Sequence, residues 1–324
     1  MRRLFLLVCL LGFAALAGSL WAQQPGRVPV VGTFAAGTTG TNDPVYEVLR
    51  QGLRDLGYTE GRDYLVVHRA ADGHLDRLTA LAEELVRLKV DVIVTGTDEA
   101  TRAAKRATST IPIVAILYNH DPVASGLIDS FNRPGGNITG LTVRNTELAA
   151  KRLQLLKDMI PGLSHVTVFS DSFGQGELDV LRPAARILGV QLRIVEVKSA
   201  DEFALAFKTA KLRKAGAVMV LTSPLFYANS ARLGALALEN KLPTMGVFRA
   251  ITEAGGLMSY STDVRDAFRR APYFIDRIFK GTKASELPFE QNDIIKLVVN
   301  LKTAKALGLT VPESILVFAD EVIR

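Results

Sequence analysis

Apolar residues recur along this chain with two alternating periods. Short β-branched runs are followed by longer stretches in which apolar residues return every third or fourth position, the signatures of strand and helix. The run 28–34 reads as a buried strand, followed by a loop rich in glycine and threonine. Asn42 or Asp43 then caps a helix with Pro44 in its first turn, and Val45, Val48, Leu49, Leu53 and Leu56 share one face before Gly57 ends it. Strands follow at 64–68, 90–94, 113–117 and 137–143. Helices lie between them: a leucine stripe from Leu75 to Leu88, a helix over 98–107, and one begun by Asp121-Pro122 and stopped at Arg133-Pro134-Gly135-Gly136.

A second series repeats the pattern. Thr146 caps a helix striped by Leu148, Leu153, Leu156 and Ile160. Strands at 166–170, 191–197, 217–222 and 243–247 alternate with helices, one opened by the capping box Ser199–Glu202. Alternation on this scale means parallel sheets with crossover helices. The fold class expected is α/β, with two doubly wound parallel-sheet lobes joined by a multi-strand hinge. The last third offers a strand at 257–261, a helix over 263–280, a strand at 294–300 and a helix to Leu307, too few elements for a third domain. They complete the two lobes, so the chain crosses three times, near Gly140, Ser261 and Pro288. The first lobe is then 28–140 plus about 262–288, and the second 141–261 plus about 289–324.

The amino terminus changes the picture of where such a protein works. Arg2 and Arg3 precede an uncharged run from Leu4 to Leu20, and Ala22 is followed by polar Gln23 and Gln24, the layout of a secretory signal peptide over 1–22. Cleavage after Ala17 is an alternative to cleavage after Ala22. The one cysteine, Cys9, lies inside this leader without a small residue before it, so a lipoprotein anchor, a disulfide, a thiol nucleophile and a cysteine-bound metal are not expected. Removing Arg2 and Arg3 takes the formal charge from +6 to +4, and the charges are interspersed along helices, which argues against nucleic-acid binding.

Several segments, in order along the chain, resemble one family. They include Leu56-Gly57-Tyr58-Thr59-Glu60-Gly61, Thr110-Ile111-Pro112-Ile113-Val114, Asp121-Pro122-Val123, Arg133-Pro134-Gly135-Gly136-Asn137, Glu253-Ala254-Gly255-Gly256-Leu257 and Asn300-Leu301-Lys302-Thr303-Ala304. The chain resembles the ABC transporter substrate-binding family related to tryptophan- and tyrosine-binding receptors. That resemblance implies a type I periplasmic-binding-protein fold and delivery of a small solute to a membrane permease. Two loops depart from the family pattern. Asp171-Ser172-Phe173-Gly174 stands where many relatives carry asparagine-proline, and Thr97-Asp98-Glu99-Ala100 where they carry threonine-proline-alanine.

In open parallel sheets a ligand sits beyond the carboxyl ends of the strands, against helix amino termini. The candidates there are Thr38, Thr39, Thr97, Asp98, Tyr118 and Asp121 from the first lobe. From the second come Asp171, Ser172, Phe173, Ser223, Phe226, Tyr227, Phe248 and Arg249. Asp98 and Asp121 are equally well placed as helix caps, and the aromatics equally as core. Arg249 is the expected carboxylate clamp, with a surface salt bridge as its alternative. No Gly-x-Ser-x-Gly elbow, dinucleotide fingerprint or phosphate-binding loop is present, and His68, His74, His120 and His165 lack metal-ligand spacing. A monomeric receptor without cofactor or metal, exported to the periplasm, is therefore expected. Its ligand is an amino acid, aromatic acid or small organic anion rather than a sugar, because the only tryptophan, Trp21, is in the leader. The alternative is an exported α/β enzyme acting on a small molecule.

Overall fold

Strands buried on both faces need helices on both sides, and the elements between the apolar runs supply them. In the computed structural model, residues 27–35, 44–72, 74–118, 121–143, 145–262, 264–292 and 294–324 are described. The predicted leader, Thr38, Thr39 and His120 lie outside the described residues.

The first sheet contains β1 (Val30–Ala35), β2 (Leu65–Ala70), β3 (Val92–Thr95), β4 (Ile113–Tyr118), β5 (Ile138–Val143) and β11 (Glu290–Asn292), in the order β11-β5-β4-β3-β1-β2, with every pairing parallel. One face is covered by α1 (Pro44–Asp55) and by α10 (Val264–Phe279), which the chain adds only after leaving the second sheet. The two helices are tightly apposed: a Cβ at Gly52 would stand 2.5 Å from the Pro272 ring. The other face is covered by α2 (Leu78–Arg87) and α3 (Asp98–Ala107), and the buried row Ala100, Ala103 and Ala104 lets α3 lie close to the strands.

The second sheet runs β13-β12-β10-β9-β8-β6-β7. Its strands are β6 (His165–Ser170), β7 (Gln191–Glu196), β8 (Ala217–Val220), β9 (Thr244–Gly246), β10 (Met258–Thr262), β12 (Ile295–Asn300) and β13 (Glu321–Ile323). Only β10 and β12 pair antiparallel among the described strands. Helices α4 (Leu148–Met159) and α5 (Gln175–Leu188) cover one face, while α6 (Phe203–Leu212), the short α7 (Pro224–Ala228) and α8 (Ser230–Glu239) cover the other. The short α9 (Arg249–Glu253) follows β9, and α11 (Leu301–Ala306) and α12 (Glu313–Phe318) lie between β12 and β13.

Three of the sequence expectations are corrected. The helix expected after Asp121-Pro122 is a chain of turns. Asp121 Oδ1 accepts from the backbone N–H groups of Val123 (2.9 Å) and Ala124 (3.1 Å), which satisfies the first turn locally, and no periodic apolar stripe carries it further. Gly140 is not a crossing point but the centre of β5, paired with Ala115 at φ +137°, where a Cβ would lie 2.0 Å from the Ala115 carbonyl oxygen. The chain leaves the first sheet only after Val143, returns after Thr262, and leaves again after Asn292, beyond the expected Pro288. The three-residue strands β11 and β13 are too short to carry a period and were not expected.

Candidate functional site at the carboxyl ends of the strands

In the first lobe, β3 runs out at Thr95 and the chain turns through Gly96 and Thr97 into α3. Thr97 caps that helix, its hydroxyl accepting from the Ala100 N–H at 3.2 Å. Asp98, the first helical residue, is 6% exposed; one carboxylate oxygen takes a 2.6 Å hydrogen bond from Arg102 Nε. The other, Oδ1, is buried and has no partner. A buried, unsatisfied acceptor costs about 1–3 kcal/mol, more when charged, so it marks a place where a donor is missing. Arg102 continues to the Ser125 carbonyl (3.2 Å), tying α3 to the loop after β4. Tyr118 ends β4, half-buried against the apolar cluster that runs from Val31, Val94 and Val114 of the first sheet to Val220, Phe226 and Phe248 of the second.

In the second lobe, three loops leave the sheet side by side. After β6, Asp171 Oδ1 accepts from the Phe173 N–H at 2.9 Å, and Oδ2 accepts from the hydroxyl of Ser223. Burial raises the Asp171 pKa above the ordinary aspartate value, with Ser223 and the Phe173 N–H pulling the other way. Ser223 is the buried cap of α7, after β8. Its neighbour Thr222 donates its N–H to Glu177 Oε1 at 2.9 Å, while the Thr222 hydroxyl is buried without a partner. After β9, Phe248 packs edge-on against Tyr227, ring centres 5.2 Å apart.

Behind these loops lies a fully buried ion pair, Arg152 on α4 with Glu177 on α5. Arg152 also donates to the carbonyls of Asn145 (3.1 Å) and Tyr260 (3.2 Å). Burial pulls the Arg152 pKa down, and the Glu177 carboxylate opposes that pull. Among the described residues no group of acidic, histidine or cysteine side chains is arranged to hold a metal ion, and no helix is long and apolar enough to cross a membrane.

Two sheets, one parallel and one parallel but for a single pair, a hinge of three crossings and unmet polar groups at both sets of strand ends agree with the outcome of comparison with known proteins. The model of the ABC transporter substrate binding protein family matches residues 40–323. The chain belongs to this family. The tyrosine-binding protein of Clostridioides difficile is 24% identical over 262 residues, covering 80% of this chain and 75% of that one. Among solved structures, a conserved domain protein from Vibrio cholerae matches with a TM-score of 0.78 at 22% identity, over 91% of this chain and 100% of the other. A Streptococcus pneumoniae ABC domain in complex with L-Trp matches with a TM-score of 0.76 at 24% identity, over 90% and 100%. The chain is thus a substrate-binding protein that takes small ligands, and not an enzyme.

Within this substrate-binding protein the residues singled out from sequence divide sharply. Thr97, Asp98 and Tyr118 sit together at one set of strand ends, and Asp171, Phe173, Ser223, Tyr227 and Phe248 at the other, with Ser172 exposed between them. Asp121 is exposed and occupied as a cap. Phe226 is 0% exposed, packed on Phe203 with ring centres 6.0 Å apart, and belongs to the core. Arg249 faces partners of its own chain: Glu253 at 2.6 Å and, through both terminal nitrogens, Glu321 on β13. Burial works against its charge, but the two carboxylates outweigh it and hold the guanidinium pKa above its ordinary value. As a free clamp for a ligand carboxylate it is therefore corrected to an anchor for the C-terminal strand. His68 is half-buried, 2.8 Å from the Thr33 hydroxyl and edge-on to Tyr46. Sequence reasoning also passed over Thr222, although it directly precedes Ser223 in a loop already under suspicion.

Proposed function

We propose that this protein is the exported receptor of an ABC-type importer, and that it closes around a free amino acid, an aromatic one foremost, in the cleft between its lobes. The observation that carries the solute class is the buried Asp98 carboxylate with one unpartnered oxygen at the end of β3. A ligand ammonium would satisfy it with a charge-assisted hydrogen bond. On the other lobe the unpartnered Thr222 hydroxyl offers a donor to a carboxylate, and the Tyr227–Phe248 pair offers an apolar wall to a side chain. The names of two relatives, one for tyrosine and one in complex with L-Trp, support the same class. The leader read from sequence supports a periplasmic site of action, from which the closed form would hand its solute to a permease. The interspersed charge supports a receptor without nucleic-acid partners.

Differential scanning fluorimetry with L-tyrosine, L-tryptophan, L-phenylalanine, sugars and nucleosides tests the class, since a ligand at 100 times its Kd adds about 2.7 kcal/mol of stability. Stabilisation by an aromatic amino acid, lost when its ammonium is acetylated, is the expected result. Stabilisation by a sugar alone overturns the proposal.

A further inference from the structure

Recognition of a ligand, as derived above, makes no use of the Arg152–Glu177 pair, yet no other charged pair among the described residues is so completely enclosed: their side chains are 1% and 0% exposed. Its backbone partners fall in three places. The Asn145 carbonyl (3.1 Å) belongs to the segment joining β5 to α4, the first crossing between the sheets. The Tyr260 carbonyl (3.2 Å) belongs to β10, two residues before that strand ends at the second crossing. The Thr222 N–H (2.9 Å) belongs to the loop after β8, where the unpartnered hydroxyl lies. Asn145 and Thr262 are themselves joined, the Thr262 N–H reaching Asn145 Oδ1 at 3.4 Å. Two of three hinge passages and one ligand-side loop are thus strung on a single ion pair.

We propose that Arg152 and Glu177 are positioning residues that fuse the hinge passages at Asn145 and at Tyr260–Thr262 to the second lobe, and that fix Thr222 in the same frame. The proposal rests on the two-lobed receptor reading. A guanidinium deprived of water tolerates little displacement of its acceptors, because every lost hydrogen bond exposes a charge in an apolar interior. Rotation between lobes is then confined to the chain on the first-lobe side of Asn145 and Thr262, and the receptor opens and closes along one path. Any shift of Thr222 on ligand binding is transmitted through Glu177 to Arg152 and so to both passages.

The test uses the protein expressed from its full sequence with Cys9→Ser, which leaves no native cysteine. Spin labels at Arg106→Cys and Glu239→Cys, exposed on helices of different lobes, report the interlobe distance by pulsed EPR. Replacing both charges by apolar residues of similar size, Arg152→Met with Glu177→Leu, avoids stranding either one. Without any ligand, this variant is expected to widen the distance distribution at least twofold and to raise amide exchange at Thr222 and Thr262 at least tenfold. Arg69→Ala, which removes the 2.6 Å pair with Glu84 inside the first lobe, is expected to change neither. An unchanged distribution in the folded double variant, or an equal widening with Arg69→Ala, overturns the proposal. If the double variant does not fold, Glu177→Gln carries the same two readouts. L-tyrosine and L-tryptophan form a separate arm: if neither shifts the wild-type distance, the solute class fails while the ligand-free arms still decide the hinge.

Discussion

The strand ends of the two lobes differ in how completely their charged groups are satisfied within the protein. In the second lobe nearly every charge is already spoken for: Asp171 by Ser223, Arg152 by Glu177, and Arg249 by Glu253 and Glu321. In the first lobe Asp98 keeps a buried oxygen that nothing meets. A charged side chain at a strand end is therefore not evidence of a ligand contact; what matters is whether its hydrogen-bonding capacity is exhausted within the protein. On that criterion the proposed site takes its ionic contact from the first lobe, and its shape, apolar wall and hydroxyl from the second.

The largest effect expected concerns the satisfied side. Arg152→Met leaves Glu177 buried without its cation and should lower the unfolding free energy by about 3–5 kcal/mol, measured by urea denaturation. The double change with Glu177→Leu should recover most of that loss. A single variant as stable as wild type would show that the pair is not enclosed as described.

Asp98→Asn sharpens the contrast from the other side. It should weaken an amino-acid ligand by about 1.5–3 kcal/mol in calorimetry, the range for hydrogen bonds to charged groups, while stability changes far less. Equal losses of affinity from Asp98→Asn and Asp171→Asn would erase the distinction between the lobes. Arg249→Ala should act on stability alone, by at most about 1 kcal/mol, because its ion pairs are partly exposed. Loss of affinity with unchanged stability would return Arg249 to the ligand.

The smallest effect is a pH dependence. Asp171 has its pKa raised by burial, so the folded protein holds that proton more tightly than the unfolded chain does. Its contribution favours folding at acid pH and is lost as pH rises from the ordinary aspartate range through the raised value. Asp171→Asn should remove this segment of the stability-versus-pH curve, a change seen by comparing denaturant midpoints between about pH 3 and 7. A variant whose stability rises less, or falls more, with pH over this range than wild type would reverse the assigned sign.

Much of this arrangement was legible in the residues, for reasons that can be named. The alternation of strand and helix fixed which loops gather at the strand ends, so Thr97, Asp98, Tyr118, Asp171 and Ser223 could be placed without knowing any contact. Pairings across long separations could not. Arg249 looks alike in sequence whether it faces a solute or Glu321, 72 positions away. Arg152 and Glu177 sit on unremarkable helical patterns, 25 positions apart, and only the packing of α4 on α5 brings them together. Gly140 illustrates the same limit: the strand through it was legible, but the close approach of the Ala115 carbonyl that excludes a side chain there was not.

The route of the chain through the two sheets bears on how such a protein reaches its destination. The first sheet lacks its edge strand β11 and its covering helix α10 until residue 292 has been made, and the second lacks β12 and β13 until residue 323. Neither core can be sealed by an amino-terminal fragment. Contacts that span so much chain close slowly, since their loop entropy must be met before they stabilise anything. If the protein is exported as proposed, a nascent chain with this topology would stay open to a translocation channel that threads extended polypeptide, and would acquire its cooperative fold only once its last sixty or so residues had arrived to complete both sheets.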